Sequence, residues 1–328
     1  MGHCHEEVWF SLLLELFLLA SQIVLPNATI ASVTSTNDPD LWFALRGGLN
    51  RFGIVTKFTL KARPQKKVQF GTIYYTEQYC RDFFEAVADF TNYNDDPKAA
   101  LIPTLNALPG GIKTGILYFF YDSPTPPPAS VWANFTAIPH INVTISPQSF
   151  VQTAYPTETL ISNTYGRRQL FSTTTFEPVT RELAGAIYDI VSNSFTSRSL
   201  QPGFLTGSFA LEPIDQFMLA QHAAAGPAAF ATPNRGGAQL LGELNYIWAD
   251  SVSDGIWSKQ THDDIAALQK AAMQLGQQEA TPWVYPPYAS VDQPVQQIYS
   301  GTLERLRRVQ RRVDVEGVFR NLTGGFNI

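Results

Sequence analysis

The chain has 328 residues, 45% of them hydrophobic and 12% aromatic, with a net charge of −5 and only 16% charged residues. That is enough apolar material for one large domain or two modest ones. The acidic balance, with no basic stripe outside one C-terminal helix, argues against nucleic acid as a partner.

Several chemistries drop out at once. Cys4 and Cys80 are too few for a disulfide framework. His3, His5, His140, His222 and His262 are scattered without ligand spacing, so no metal site is expected. No Gly-x-Ser-x-Gly elbow and no Walker loop occurs, which removes hydrolase and phosphotransfer readings. Asn-x-Ser/Thr triplets at Asn27, Asn134, Asn142 and Asn321, with few lysines, point to a secreted protein carrying N-glycans.

In chain order, Val8 to Ala20 is apolar, but Glu6, Glu7 and Glu15 stand where a signal peptide is basic. At about thirteen residues the run is too short to span a bilayer. Gln22 to Ile30 reads as strand, turn at Pro26-Asn27, and strand. Asp38 to Leu45 has an acidic, proline-containing start and Leu41, Trp42 and Leu45 at helical spacing. Gly47, Gly48 and Gly53 then bracket a turn, and Ile54 to Leu60 alternates as a half-buried strand.

From Val68 to Tyr75 the pattern predicts a strand, then a helix over Glu77–Tyr93 with Cys80, Phe83, Phe84, Val87 and Phe90 on its inner face. Leu101–Asn106 and Lys113–Tyr121 read as a hairpin about Pro109-Gly-Gly111, followed by a short helix through Trp132 and Phe135. A helix is expected over Phe176–Phe195, strands over Gly207–Ile214 and Gln239–Asp250, a small-residue loop over Ala223–Gly237, and a helix over Trp257–Gln277. Leu303–Val313 reads as a last helix, with Leu303, Leu306, Val309 and Val313 inward and an arginine-covered outer face. Strands in hairpins with helices grouped between them predict an α+β fold whose antiparallel sheet is backed by helices.

Two strings resemble one family. Asp40-Leu-Trp-Phe-Ala-Leu-Arg-Gly-Gly-Leu-Asn-Arg-Phe-Gly-Ile-Val-Thr56 resembles the segment Asp-Leu-Trp-Trp-Ala-Leu-Arg-Gly-Gly-Gly-x-Asn-Phe-Gly-Ile-Val-Thr of FAD-linked oxidases of the berberine bridge enzyme type. Leu49 replaces the family's third glycine, and Arg51 stands where a small or amide residue is usual. Near the C-terminus, Trp283-Val-Tyr-Pro-Pro-Tyr-Ala-Ser290 resembles Tyr-x-Asn-Tyr-Ala-Asp, with Pro287 at the asparagine, and Tyr299-Ser-Gly301 resembles the family's Tyr-Gly. The resemblance runs from about Ile23 to the end. It implies the C-terminal part of an FAD-binding domain over 23–66, a substrate domain over 67–280, and a segment over 281–328 returning to the flavin domain.

The family's Arg-Gly-Gly-Gly-His loop, whose histidine bonds covalently to flavin, has no counterpart in this sequence. Residues 1–22 are therefore expected to be foreign to the fold, and the flavin domain to lack its first half. The resemblance implies FAD as cofactor, O₂ as its oxidant, and a small secondary metabolite or sugar-like alcohol as substrate. Arg46, Gly47, Gly48, Asn50, Phe52, Gly53, Ile54 and Val55 are the implied cofactor-binding residues.

A phenol can act as base where a neighbouring cation or the flavin lowers its pKa. Tyr288 matches the tyrosine that serves so in several relatives. Tyr285, on the same expected strand, is the supporting residue for substrate hydroxyls. Glu243, alternating with Asn245 on a strand read as lying beside Tyr118 and Phe120, is the carboxylate candidate. The competing expectation is a non-catalytic module that binds a ligand or partner.

Overall fold

The structure is a computed structural model that describes residues 18–154, 164–229, 237–277 and 282–328. The described residues form two compact units, the smaller from 18–64, 218–229 and 283–328, the larger from 65–154, 164–217, 237–277 and 282.

The smaller unit begins with β1 (Leu18–Val24), β2 (Ile30–Val33), α1 (Pro39–Leu45) and β3 (Ile54–Leu60). The strands form an antiparallel sheet in the order β2-β1-β3. The Asn27 side chain shapes the β1–β2 turn, its Oδ1 accepting from the Thr29 N–H at 3.1 Å and the Thr29 hydroxyl at 2.7 Å. Helix α1 starts where expected, because Asp38 Oδ1 accepts the Leu41 N–H at 3.0 Å and Pro39 fills the first helical position without losing a bond.

Two expectations are corrected here. Leu18–Gln22 are not foreign to the fold: they open β1, the central strand, whose backbone is paired on both sides and whose Ser21 and Ile23 are buried. Residues 1–17, with Cys4, lie outside the described residues. Strand β3 is an edge strand rather than a half-buried one, with Ile54 60%, Phe58 45% and Leu60 42% exposed.

The larger unit is built on a sheet of β4 (Val68–Thr76), β5 (Ala99–Leu108), β6 (Ile112–Tyr121), β7 (Asn142–Val143), β8 (Ser146–Gln148), β9 (Arg168–Phe176), β10 (Phe204–Ile214) and β11 (Gln239–Trp248). Its order is β7-β4-β6-β5-β10-β11-β9, with β8 also on β4, and the pairs are antiparallel. One face packs against α2 (Cys80–Tyr93), α3 (Ala129–Thr136), α4 (Arg181–Arg198) and α6 (Asp254–Gln274). The five apolar residues read from the sequence of α2 are all buried. Gly115 lets α2 approach, since a Cβ there would stand 2.9 Å from Cys80 Sγ. The Tyr75 and Phe83 rings stack at 4.9 Å, and Trp257 on α6 meets Tyr246 at 5.3 Å.

Residues 168–176 are strand β9, where the sequence predicted no element, and the helix expected from Phe176 begins at Arg181. Thr180 caps it by accepting the Leu183 N–H at 3.1 Å. A further helix, α5 (Gln216–Ala225), covers 216–222, where no element was expected, and the first three residues of the stretch read as a loop, of which 230–236 lie outside the described residues. In the smaller unit the chain closes with α7 (Val295–Ile298), α8 (Leu303–Val313) and α9 (Val318–Leu322). Leu303, Leu306 and Val309 of α8 are buried as read, and Val313 only partly. Two of its arginines make ion pairs outside the helix, Arg305 with Asp40 at 2.7 Å and Arg312 with Asp38 at 2.8 Å, tying α8 to the start of α1.

Candidate functional site

In the smaller unit the glycine turn follows directly from the end of α1. Gly47 has φ 101° and Gly53 φ 147°, backbone that side chains rarely tolerate. Gly48 has ordinary φ but no space: a Cβ would come within 2.3 Å of the Ala44 carbonyl oxygen and 2.6 Å of the Phe52 ring. Leu49 is itself left-handed at φ 58°, a region that glycine enters more readily.

The polar side chains of the turn reach parts of the same unit. Arg46, buried, donates from Nη1 to the Pro227 carbonyl at 3.1 Å, and its own carbonyl accepts the Ala229 N–H at 2.8 Å. Asn50 donates to the Gly324 carbonyl at 3.2 Å. Phe52 is fully buried, Ile54 is exposed, and Val55 is intermediate on β3. The Tyr299 hydroxyl donates to the Gly47 carbonyl at 3.2 Å, so the two strings that carry the family resemblance meet in one unit.

Tyr285 and Tyr288 are buried, at 1% and 0% exposure, with rings edge-to-face at 5.3 Å; Trp283 lies 5.6 Å from Tyr285. They are not on a strand. Pro286–Tyr288 is a single 3₁₀ turn, because Pro286 and Pro287 have no N–H to give to a ladder. The turn throws the two phenols together, which an extended segment with three-residue spacing does not do.

In the larger unit Glu243 is buried, at 2% exposure. Leu240, Leu244 and Tyr246 of β11 enter the helix-backed core, leaving Leu241, Glu243 and Asn245 on the other face of the sheet. Register puts Ala210 and Thr173 opposite Glu243, and Leu241 opposite Glu212. Glu212 and Glu243 are thus diagonal neighbours on that face, about 7–8 Å apart at Cα, and both are buried. Tyr118 shares the face but lies three strands away along β11-β10-β5-β6 and two residues off in register, about 16 Å, which corrects the expected proximity. Burial pushes its phenol up, as does the nearby Tyr74. Sequence reasoning passed over Glu212; the available signal was a carboxylate alternating with the core residues Phe209 and Leu211.

A cleft of about 360 Å³ in the smaller unit is lined by Leu25, Val33, Asp38, Leu41, Arg312 and Val313 among others, and none of the candidate residues lines it. The fit to a dinucleotide rests instead on Arg51. It is 3% exposed, its Nε has no hydrogen-bond partner, and among the described residues no carboxylate pairs with it. Burial pushes the guanidinium pKa down, opposed by the nearby Tyr299 phenol. A buried, incompletely satisfied cation beside left-handed glycines fits the charge of a diphosphate.

No family model matches the chain. In sequence it is 29% identical over 322 residues to an uncharacterized FAD-linked oxidoreductase of Arthroderma benhamiae, covering 94% of this chain and 62% of that one. It is 28% identical over 326 residues to the FAD-dependent monooxygenase elcE of Phaeosphaeria nodorum, covering 94% of this chain and 91% of that one. Among solved structures, a variant of Physcomitrella patens BBE-like 1 superposes with a TM-score of 0.74 at 15% identity, over 93% of this chain and 64% of that one. The chain therefore spans less than two thirds of the Arthroderma protein and of the moss structure. It shares the fold of the berberine bridge enzyme-like oxidases and, over nearly all of its own length, is similar in sequence to proteins named as FAD-linked or FAD-dependent.

Proposed function

We propose that this chain is an FAD-dependent oxidoreductase acting on a small secondary metabolite or sugar-like alcohol, with O₂ as final oxidant. The observation that carries the reading is the joining of the glycine turn to the C-terminal segment of buried tyrosines through the Tyr299–Gly47 bond. The names of the sequence relatives support the FAD dependence. Bound FAD supplies hydride acceptance and electron delivery to O₂.

The protein's part is to bind, orient and move a proton. Arg46, Asn50 and the backbone of Gly47, Gly48 and Gly53–Val55 would hold the dinucleotide. Tyr288 takes the substrate hydroxyl proton and Tyr285 holds the substrate in place. Burial strengthens such contacts and excludes water. Glu243, with Glu212 diagonal to it, is the alternative base. The asparagines of the four sequons are exposed, which supports N-glycosylation in a secretory compartment; an endoglycosidase mass shift on the secreted chain checks that.

Tyr288→Phe removes the proton acceptor while keeping the ring. A fall in turnover of about 10²–10⁴-fold at unchanged FAD content is expected. Unchanged turnover eliminates Tyr288 and moves the role to Glu243, to be checked with Glu243→Gln. The second reading, a non-catalytic module, is favoured by the commitment of Arg46 and Asn50 to carbonyls of their own unit. Flavin absorbance before and after dialysis separates the two. Weak, non-covalent FAD is expected, and a chain that never takes up FAD leaves only the second reading.

A further inference from the structure

We infer that Arg51 marks an oxyanion-binding site in which its Nε–Nη2 edge receives a phosphate-type group, the diphosphate of the dinucleotide on the FAD-linked reading above. The bonds Arg51 makes are few and long. Among the described residues only Nη1 is engaged, to the Phe319 carbonyl at 3.3 Å, the Thr323 carbonyl at 3.4 Å and the Thr323 hydroxyl at 3.3 Å. These lie beyond the usual 2.7–3.2 Å range for N–H···O, and one nitrogen shared among three neutral oxygens leaves most of a five-donor group unused.

The unused edge is Nε and Nη2. Nε is buried without a partner, and Gly325 lies beside Nη2, where even an added Cβ would stand 3.7 Å away. Gly324 and Gly325 thus bring backbone without side chains to this edge. Asn50 fixes that backbone by donating to the Gly324 carbonyl. A guanidinium fork presents two parallel N–H groups, the geometry that matches two oxygens of a phosphate or carboxylate.

The competing role is a clamp holding Phe319–Thr323 to the turn. The two roles differ in sign. A clamp residue stabilises the fold, whereas an uncompensated buried charge destabilises it until an anion arrives. Full-length protein is followed by thermal unfolding with inorganic pyrophosphate, with FAD, and with sodium chloride at matched ionic strength.

The parent is expected to gain Tm with pyrophosphate and FAD beyond the chloride control. Arg51→Met is expected to unfold at the same or a higher temperature without anion, and to bind both probes about 10–100-fold more weakly. Arg51→Lys keeps the charge and loses the fork. It supports the site if pyrophosphate weakens at unchanged Tm, and it carries the test should the methionine variant fail to fold. A lower Tm for Arg51→Met with undiminished probe affinity makes Arg51 a clamp and overturns the inference, as does a parent that responds to neither probe. Pyrophosphate bound through Arg51 without FAD binding upholds the site and removes the FAD reading. FAD bound equally by parent and Arg51→Met does the reverse.

Discussion

The two units balance apolar burial and polar ties differently. In the larger one an aromatic and aliphatic core runs continuously from Ile73 on β4 to Ala272 on α6, between one sheet face and its helices. The smaller one also buries apolar side chains, Ile23, Phe43, Phe52 and Leu306 among them, and adds long-range polar ties: Asp38–Arg312, Asp40–Arg305, Arg46–Pro227, Asn50–Gly324 and Tyr299–Gly47. Burial of apolar area is non-directional and tolerant of sequence, while polar ties depend on geometry, pH and salt. The larger unit is therefore expected to set the stability, and the smaller one to respond to solution conditions.

The comparison breaks most visibly at Trp257. Its ring is 1% exposed and lies 5.7, 5.3 and 6.0 Å from those of Phe204, Tyr246 and Trp248. Trp257→Ala removes these contacts and leaves a cavity, so a loss of about 3–5 kcal/mol is expected in denaturant unfolding, with little dependence on salt. A loss under about 1 kcal/mol means that the core is not the main stabiliser of this unit.

Elements of the larger unit were legible in the sequence for the same reason. Cys80, Phe83, Phe84, Val87 and Phe90 repeat at helical spacing because one face of α2 is buried. The hairpin at Pro109-Gly-Gly111 announces itself through glycines, observed at φ 83° and 85°. Strand β9 was missed because Ser172, Thr173, Thr174 and Thr175 read as polar, yet all four are buried. The usable signal was β-branching, which favours strands whatever the polarity. Helix α5 was missed because its large apolar residues, Phe217, Met218 and Leu219, are consecutive and give no helical spacing to detect.

The candidate site was legible as motifs and not as geometry. Asp38, Gly47 and Gly53 do locally what their types suggest, capping a helix and taking positive φ. The Tyr299–Gly47 bond, by contrast, spans 252 positions, and no local pattern encodes it. Tyr285–Tyr288 misled because alternating aromatics suggest a strand, while the two intervening prolines dictate a turn.

A middle-sized effect is expected at Asp38, where a cap and an ion pair share one carboxylate. Asp38→Ala removes the acceptor of the Leu41 N–H and the partner of Arg312, about 1–2 kcal/mol together. Asp38→Asn retains capping ability and loses the pair, about 0.2–1 kcal/mol. Partial burial raises the Asp38 carboxyl, but hydrogen bonds from Arg312 and the Leu41 N–H outweigh it and leave the pKa below the ordinary value of 3.8. The folded pKa lies below the unfolded one, so the contribution is complete above the ordinary aspartate range and disappears as pH falls through the folded value. Urea unfolding against pH should show parent and Asp38→Asn converging only in acid, and their gap narrowing in high salt. A gap independent of both excludes the ion pair as its source.

The smallest effect concerns Leu49 and has the opposite sign. Its φ of 58° places a leucine in the left-handed region, where Cβ crowds the following carbonyl at a cost of about 1–2 kcal/mol. The side chain recovers little of this, being 44% exposed. Leu49→Gly removes the crowding but gives the unfolded chain more freedom, which returns about 0.4–1 kcal/mol. The difference is a net gain of roughly 0.5–1 kcal/mol, visible as a higher midpoint at unchanged denaturant slope. Asn tolerates the left-handed region better than most residues, so Leu49→Asn should give a smaller gain, and Leu49→Ala, which retains a Cβ, none. Equal behaviour of the glycine and alanine variants would show that the leucine side chain, and not its backbone conformation, sets the energy of this turn. A loss in all three would show that Leu49 packs in the folded state more tightly than its exposure indicates.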